Sequence, residues 1–239
     1  CGGSGAKTLS YMMDQLDADL AAYGIDEIPG CWQFLNVDTP LQEEEGRAVG
    51  SVSHQGGAYV ACGVASGDYA VVDAALERFG RIDVLVNNAG TGAIGNAEDI
   101  TDEQFHQELE VDLFGTFRVA RAVAGRAMIP AGYGRIINIA SMYGLVGNMV
   151  AGSAPYHAAK GGVVNLTRAL AAEWGRHGIT VNAICPGYFY TDLTTETLDS
   201  DFFQQHARVT IPVQRYGRAG ELDTAALFLA SPASAYVTG

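Results

Sequence analysis

From about Gly67 onward the chain alternates short apolar runs with longer stretches of helical period, a pattern that admits few folds besides a parallel sheet with helices on its faces. Tyr69 to Phe79 (YAVVDAALERF) reads as an amphipathic helix closed by Gly80, a residue suited to a helix C-cap. Ile82 to Val86 (IDVLV) is the kind of uninterrupted apolar run that a parallel sheet buries on both faces, and it breaks at Asn87-Asn88-Ala89-Gly90. Thr101, followed by Glu103 and Gln104, predicts a helix start, and the periodic stretch from Phe105 to Met128 is long enough for about six turns before Pro130 stops it. Arg135 to Ala140 (RIINIA) and Ile179 to Ile184 (ITVNAI) predict two more buried strands, with a long helix over Pro155 to Trp174 between them. The second strand ends at Pro186-Gly187, and Glu221 to Ala230 gives a last helix.

The first 60 or so residues break this rhythm. Asp14 to Tyr23 is helix-like, Tyr59 to Cys62 is strand-like, and Gly24 to Gly57 mixes Pro, Trp, Gly pairs and a Glu43-Glu44-Glu45 run without sustained period. The last segment is expected to be an irregular insert in a single domain spanning residues 1–239. Cys1 stands where a Met would open a natural chain, and Gly239 directly follows a strand-like start, so the sequence is expected to be a fragment.

Charge narrows the class of ligand. With 14 Lys+Arg against 27 Asp+Glu the net charge is −13, which repels phosphate backbones and anionic lipid surfaces. Neither nucleic acid nor membrane is an expected partner, and a small molecule is. No apolar run approaches the roughly 18 residues of a spanning helix. The 4 Cys show no CxxC pair and no metal-ligand spacing, and no secretory leader opens the chain. No metal site and a reducing, cytoplasmic setting are expected.

The chemistry concentrates after the RIINIA strand. Ser141 follows it, and Tyr156 and Lys160 lie four residues apart on the next helix, where both side chains reach one ligand. A phenol with an ordinary pKa near ~10 is a poor acid or base at neutral pH, and a nearby ammonium favours its ionised form. The hydroxyl at the strand end can hold a substrate oxygen. Lys7 and Lys160 are the only lysines, and chance would place a Tyr four residues before one of them about 0.09 times. A compact ammonium at position 160, in a chain whose other basic residues are nearly all Arg, is therefore informative.

In these features the chain resembles the short-chain dehydrogenase/reductase family over roughly residues 60–239. The family's NNAG segment corresponds to Asn87–Gly90, its catalytic Ser to Ser141, its YxxxK pair to Tyr156 and Lys160, and its PG turn with a downstream Thr to Pro186, Gly187 and Thr191. The resemblance implies an α/β, Rossmann-like, doubly wound and mostly parallel sheet in three layers. It implies NAD or NADP as cofactor, held by Asn88, Ala89, Gly90, Tyr156, Lys160, Pro186, Gly187 and Thr191. Tyr156 becomes general acid/base, Lys160 ribose anchor, and Ser141 carbonyl polariser. Ala140 to Thr191 is most similar to enzymes of the gluconate 5-dehydrogenase kind, which implies a polyol or sugar-acid substrate. A 3-oxoacyl-carrier-protein reductase shares the same motifs, although its acidic partner suits a −13 chain less well. Homo-oligomers, dimers or tetramers, are implied through helices 104–130 and 155–174, and a truncated, non-catalytic association module is the reading from another class.

Three departures from the family pattern stand out. The active-site Asn aligns with Asp112, whose carboxylate is expected to favour the Lys160 cation and oppose the tyrosinate. The TGxxxGxG turn is absent: Cys1-Gly2-Gly3-Ser4-Gly5 lacks its spacing, and Gly5 to Leu9 resembles the family's second strand. The first βα unit is thus expected to be lacking and, with it, amide contacts to the cofactor pyrophosphate. Gly63 replaces the Asp that commonly contacts adenine. The pocket is expected to be bordered by Gly90, Tyr156, Pro186, Gly187 and Thr191, with Tyr188 and Phe189 as an aromatic wall; plain core packing is the alternative for those two rings.

Overall fold

A computed structural model describes residues 35–38, 58–61, 67–191 and 194–239. The helix expected over Asp14 to Tyr23, the strand-like Gly5 to Leu9, the Cys1–Gly5 glycines and Gly63 lie outside the described residues. In chain order the elements are β1 (Leu35–Asp38), β2 (Ala58–Ala61), α1 (Gly67–Phe79), β3 (Val84–Asn87), α2 (Asp102–Leu109), α3 (Thr116–Val123), α4 (Ile129–Ala131), β4 (Gly134–Ile139), α5 (Ala154–Trp174), β5 (Ile179–Ile184), α6 (Thr195–Leu198), α7 (Asp201–Thr210) and α8 (Asp223–Ala230). Two π-helical stretches, Glu110–Gly115 and Ala124–Met128, join α2, α3 and α4 into one helical run.

All strand pairing is parallel. β4 lies between β3 and β5, with Ile136 opposite both Leu85 and Val181, while β1 pairs with β2 from Leu35↔Ala58 to Asp38↔Ala61. Within Gly24 to Gly57, expected to be irregular, Leu35–Asp38 is a strand, which LNVD is too short to show as a period; the rest of that segment lies outside the described residues. In the doubly wound strand order 3-2-1-4-5-6, a pair and a run of strands flank strand 1. Among the described residues the sheets are one such pair, β1-β2, and one run of three, β3-β4-β5.

Apolar β4 and β5 form the centre of the core because helices cover both faces of a parallel sheet. Ile136 and Val181 are fully buried and pack with Met128, Val123, Leu170 and Ile179. Thr101 caps α2 through the expected reciprocal bonds with Gln104. At the opposite end of the sheet Gly132 and Gly178 both turn the chain at positive φ, 65° and 73°. A Cβ on Gly178 would come within 2.3 Å of the Gly132 carbonyl oxygen, so close approach as well as handedness requires glycine there. Among the described residues no helix is long and apolar enough to cross a membrane.

Candidate active site

The carboxyl ends of β3, β4 and β5 bring together segments that are distant in sequence. β3 runs into Asn88-Ala89-Gly90, β4 into Ser141, and β5 into Pro186-Gly187. Two backbone bonds zip the latter loops together: the Ala140 amide donates to Ile184 O at 2.8 Å and the Met142 amide to Pro186 O at 2.9 Å. Inside the sheet, Asn87 Nδ2 donates to Asn138 Oδ1 at 2.9 Å and Asn138 Nδ2 to Thr167 Oγ1 at 2.9 Å. That buried relay fixes β3, β4 and α5 in one register, so the first Asn of the NNAG segment is an architectural residue. Buried amides of this kind persist because each polar group is satisfied.

Lys160 enters this end of the sheet from α5 and is 4% exposed. Its Nζ donates to Ile139 O at 3.1 Å and lies 3.0 Å from Asp112 Oδ2. The Asp112 carboxylate is fully buried, and its Oδ1 accepts from the Thr91 amide at 2.7 Å. The expected encounter between a carboxylate at 112 and the ammonium is therefore a direct ion pair. Asp112 sits within the π-helical stretch, and its carbonyl accepts from Thr116 Oγ1 at 2.8 Å. Gly90 packs on the pair itself: a Cβ there would lie 3.1 Å from both Lys160 Nζ and Asp112 Oδ2. Gly144 lets the turn after Ser141 press on the α5 backbone, since its Cβ would fall 2.7 Å from Lys160 O.

Tyr156 is half-buried on the same helix, with Lys160 Nζ 5.6 Å from its ring centre. Ser141 is buried in extended backbone, and its Oγ accepts from the Tyr143 amide at 3.1 Å. Tyr143 was not anticipated. Its ring lies 4.9 Å from His157, and its hydroxyl bonds the Tyr188 hydroxyl. Burial, then the Tyr188 bond, then the neighbouring Tyr188, Tyr156 and Tyr216 rings push the Tyr143 phenol well above its ordinary range. Tyr188 also meets Phe203 and Tyr216 edge-on. Tyr188 thus stands with Tyr143, while the Phe189 ring packs over Gly217, whose Cβ would fall 2.4 Å from it. A local strand-like pairing explains it, since Tyr190 and Tyr188 bond Gly217 through backbone while Phe189 turns the opposite way. Thr191 is exposed, and its hydroxyl is 3.0 Å from that of Thr194.

Glu108 was also missed. It is 3% exposed, and its Oε2 accepts from Thr91 Oγ1 at 2.9 Å and the Ala93 amide at 3.0 Å. Its position four residues before Asp112, on the same helical face, was the available signal.

For a dinucleotide, the nicotinamide–ribose half fits the residues present. Lys160 has three N–H donors; Ile139 O takes one and the Asp112 carboxylate lies beside another, which leaves a donor for a ribose hydroxyl. The segment that would meet the pyrophosphate lies outside the described residues.

Comparison with known proteins follows the same lines. The sequence profile of a family described as Enoyl-(Acyl carrier protein) reductase matches residues 37–239. Gluconate 5-dehydrogenase of Gluconobacter oxydans (strain 621H) is 40% identical over 173 residues, covering 71% of this chain and 66% of that protein. The 3-oxoacyl-[acyl-carrier-protein] reductase of Vibrio cholerae is 40% identical over 170 residues, covering 71% of this chain and 68% of the relative. The chain thus spans just under two thirds of the length of the former. Among solved structures, a gluconate 5-dehydrogenase from Burkholderia cenocepacia J2315 in complex with NADP and tartrate superposes with a TM-score of 0.72 at 37% identity, over 76% of this chain and 71% of that one. The TT0495 protein from Thermus thermophilus superposes with a TM-score of 0.81 at 26% identity, over 99% and 91%.

Proposed function

The chain belongs to the short-chain dehydrogenase/reductase family, and from that premise we propose that it is an NAD(P)-dependent oxidoreductase interconverting a secondary alcohol and a ketone on a polyol or sugar acid. The observation that carries this reading is the buried Lys160 ammonium, held between Ile139 O and Asp112 and facing the Tyr156 ring from one turn along the same helix. When bound, the nicotinamide supplies or accepts the hydride. Tyr156 moves the proton at the substrate oxygen, Lys160 offers a positive charge that favours its phenolate and a donor to the ribose, and Ser141 donates to the oxygen that becomes or was the carbonyl. Asn88, Ala89, Gly90, Pro186, Gly187 and Thr191 line the cofactor side. The Tyr143–Tyr188 hydroxyl pair suits a substrate bearing several hydroxyls.

The similarity to a carrier-protein reductase at the same 40% identity supports the second reading, a 3-oxoacyl thioester as substrate. We read the protein as a homo-oligomer, dimer or tetramer, of the reducing cytoplasm; half-exposed Phe114 beside Arg118 on the first long helix supports association there. The test is nicotinamide absorbance with NADH and NADPH against gluconate, galactitol, their keto products and a 3-oxoacyl thioester. Turnover of the sugar acids or polyols is expected. Turnover of the thioester alone selects the second reading, and absence of both turnover and calorimetric cofactor binding leaves the association module.

A further inference from the structure

Three buried ionisable groups converge beneath Gly90, and the proposed chemistry uses only two of them. Glu108 and Asp112 occupy one helical face, 3% and 0% exposed, and Thr91 joins them. Its amide donates to Asp112 Oδ1 at 2.7 Å and its hydroxyl to Glu108 Oε2 at 2.9 Å. The Ala93 amide adds a second bond to the same Oε2, while Oε1 is buried without a partner. An ionised carboxylate there would bury charge on an oxygen that no donor faces, whereas the neutral acid buries only an unpaired O–H, the smaller penalty.

Charge balance points the same way. From its own helix Glu108 faces Asp112, and from α5 it faces Lys160. The loop 88–95 carries no charged side chain, and the other titratable groups on that stretch of α5 are the Tyr156 phenol and His157, whose Nδ1 lies 2.8 Å from Ser153 O. One ammonium balances one carboxylate.

We infer that Glu108 is a positioning residue that holds a proton beside the Lys160–Asp112 pair. As the neutral acid it leaves the pair balanced; on releasing that proton to water it turns the pocket net negative and opposes the Tyr156 phenolate through Lys160. Burial, which pushes the Glu108 carboxyl above the ordinary range against the Thr91 bond, agrees with that geometry.

The test is E108Q, which keeps an acceptor for Thr91 and Ala93 and a donor at the other position but cannot ionise. Thermal unfolding of the full chain is followed from about pH 5 to about pH 9. Because the folded-state ionisation of Glu108 is raised, its stabilisation is complete at low pH and lost as pH rises through that ionisation. The wild type should therefore lose stability on the alkaline side more steeply than E108Q. A constant offset at every pH would mean a merely structural role and would overturn the inference. T91V removes a bond that favours the ionised form, so the alkaline loss should move to higher pH; an unmoved profile also counts against it. Resting on the oxidoreductase reading, a second readout is the pH profile of alcohol oxidation, whose rise should move to lower pH in E108Q by on the order of one unit. A wild type without turnover defeats the functional reading alone, and the melting profiles still decide the role of Glu108.

Discussion

The floor and the cap of the candidate site are built on different physics. The floor, at the ends of β3, β4 and β5, is held by parallel backbone pairing, the Asn87–Asn138–Thr167 relay and a buried ion pair. The cap, from Tyr188 to Tyr216, is a separate cluster of Leu198, Ala207 and Tyr216 with Tyr188, Tyr190 and Phe203 around it. Its helices are short, with Phe202 and Val209 exposed on α7 and Val213 exposed just beyond it. Polar groups in the floor have few alternative arrangements, since each unpaired buried atom is costly. Edge-on rings in the cap tolerate rearrangement, since apolar contact is non-directional. On the proposed reading, reaction geometry belongs to the floor and substrate choice to the cap.

The contrast is sharpest for Lys160→Met. Leaving Asp112 buried without its cation should destabilise the protein by about 3–5 kcal/mol, measured by denaturant unfolding, as well as abolish turnover. Asn138→Leu removes both relay bonds, leaving Asn87 Nδ2 only its long 3.4 Å bond to Thr116 O, and should cost about 2–3 kcal/mol. On the cap side, Tyr188→Phe removes only the hydroxyl shared with Tyr143 and should cost about 1 kcal/mol, with KM for the substrate changing more than kcat. If Tyr188→Phe destabilises as much as Asn138→Leu, the two regions are not mechanically distinct. Smallest is Glu221→Gln on the cap's surface, which should lower the unfolding midpoint least of the four because its fork with Arg215 is solvent-exposed and screened. Arg215 holds the Glu221 carboxyl down to about 2, so acidifying to about pH 4 should not break that pair.

How much of this was legible in the sequence follows the same division. Strands with both faces buried read as plain apolar runs, so RIINIA and ITVNAI were placed within a residue of β4 and β5. The spacing of Tyr156 and Lys160 and the resemblance located the ion pair's two helices. Glu108 escaped because, alongside Asp102 and Glu103, it looks like part of the solvated face of DEQFHQEL, and only the fold shows Thr91 and Ala93 closing over it. Helices α6 and α7 escaped because TETL is too short for a period and DFFQQHARVT places its rings side by side. The differing surroundings of Tyr188 and Phe189 were not legible from two adjacent aromatic letters, because alternation in an extended segment sends neighbours to opposite sides.

The two π-helical stretches, Glu110–Gly115 and Ala124–Met128, make chain length across this region a constrained quantity in its own right. Each π turn houses one residue more than an α turn and rotates everything beyond it by about 100°. Deleting one residue within Glu110–Gly115 would let the run straighten into ordinary α-helix without breaking it. Six residues at the π pitch turn about as far as five at the α pitch, so the buried face carrying Ala120, Val123 and Ala124 would stay in phase with Glu108, whereas an α-helix keeping all six would set the two about 100° apart. Relatives one residue shorter here should therefore keep both faces buried as a plain α-helix, while a chain of this length needs the π turn for a carboxylate at position 108 to reach the loop after Gly90.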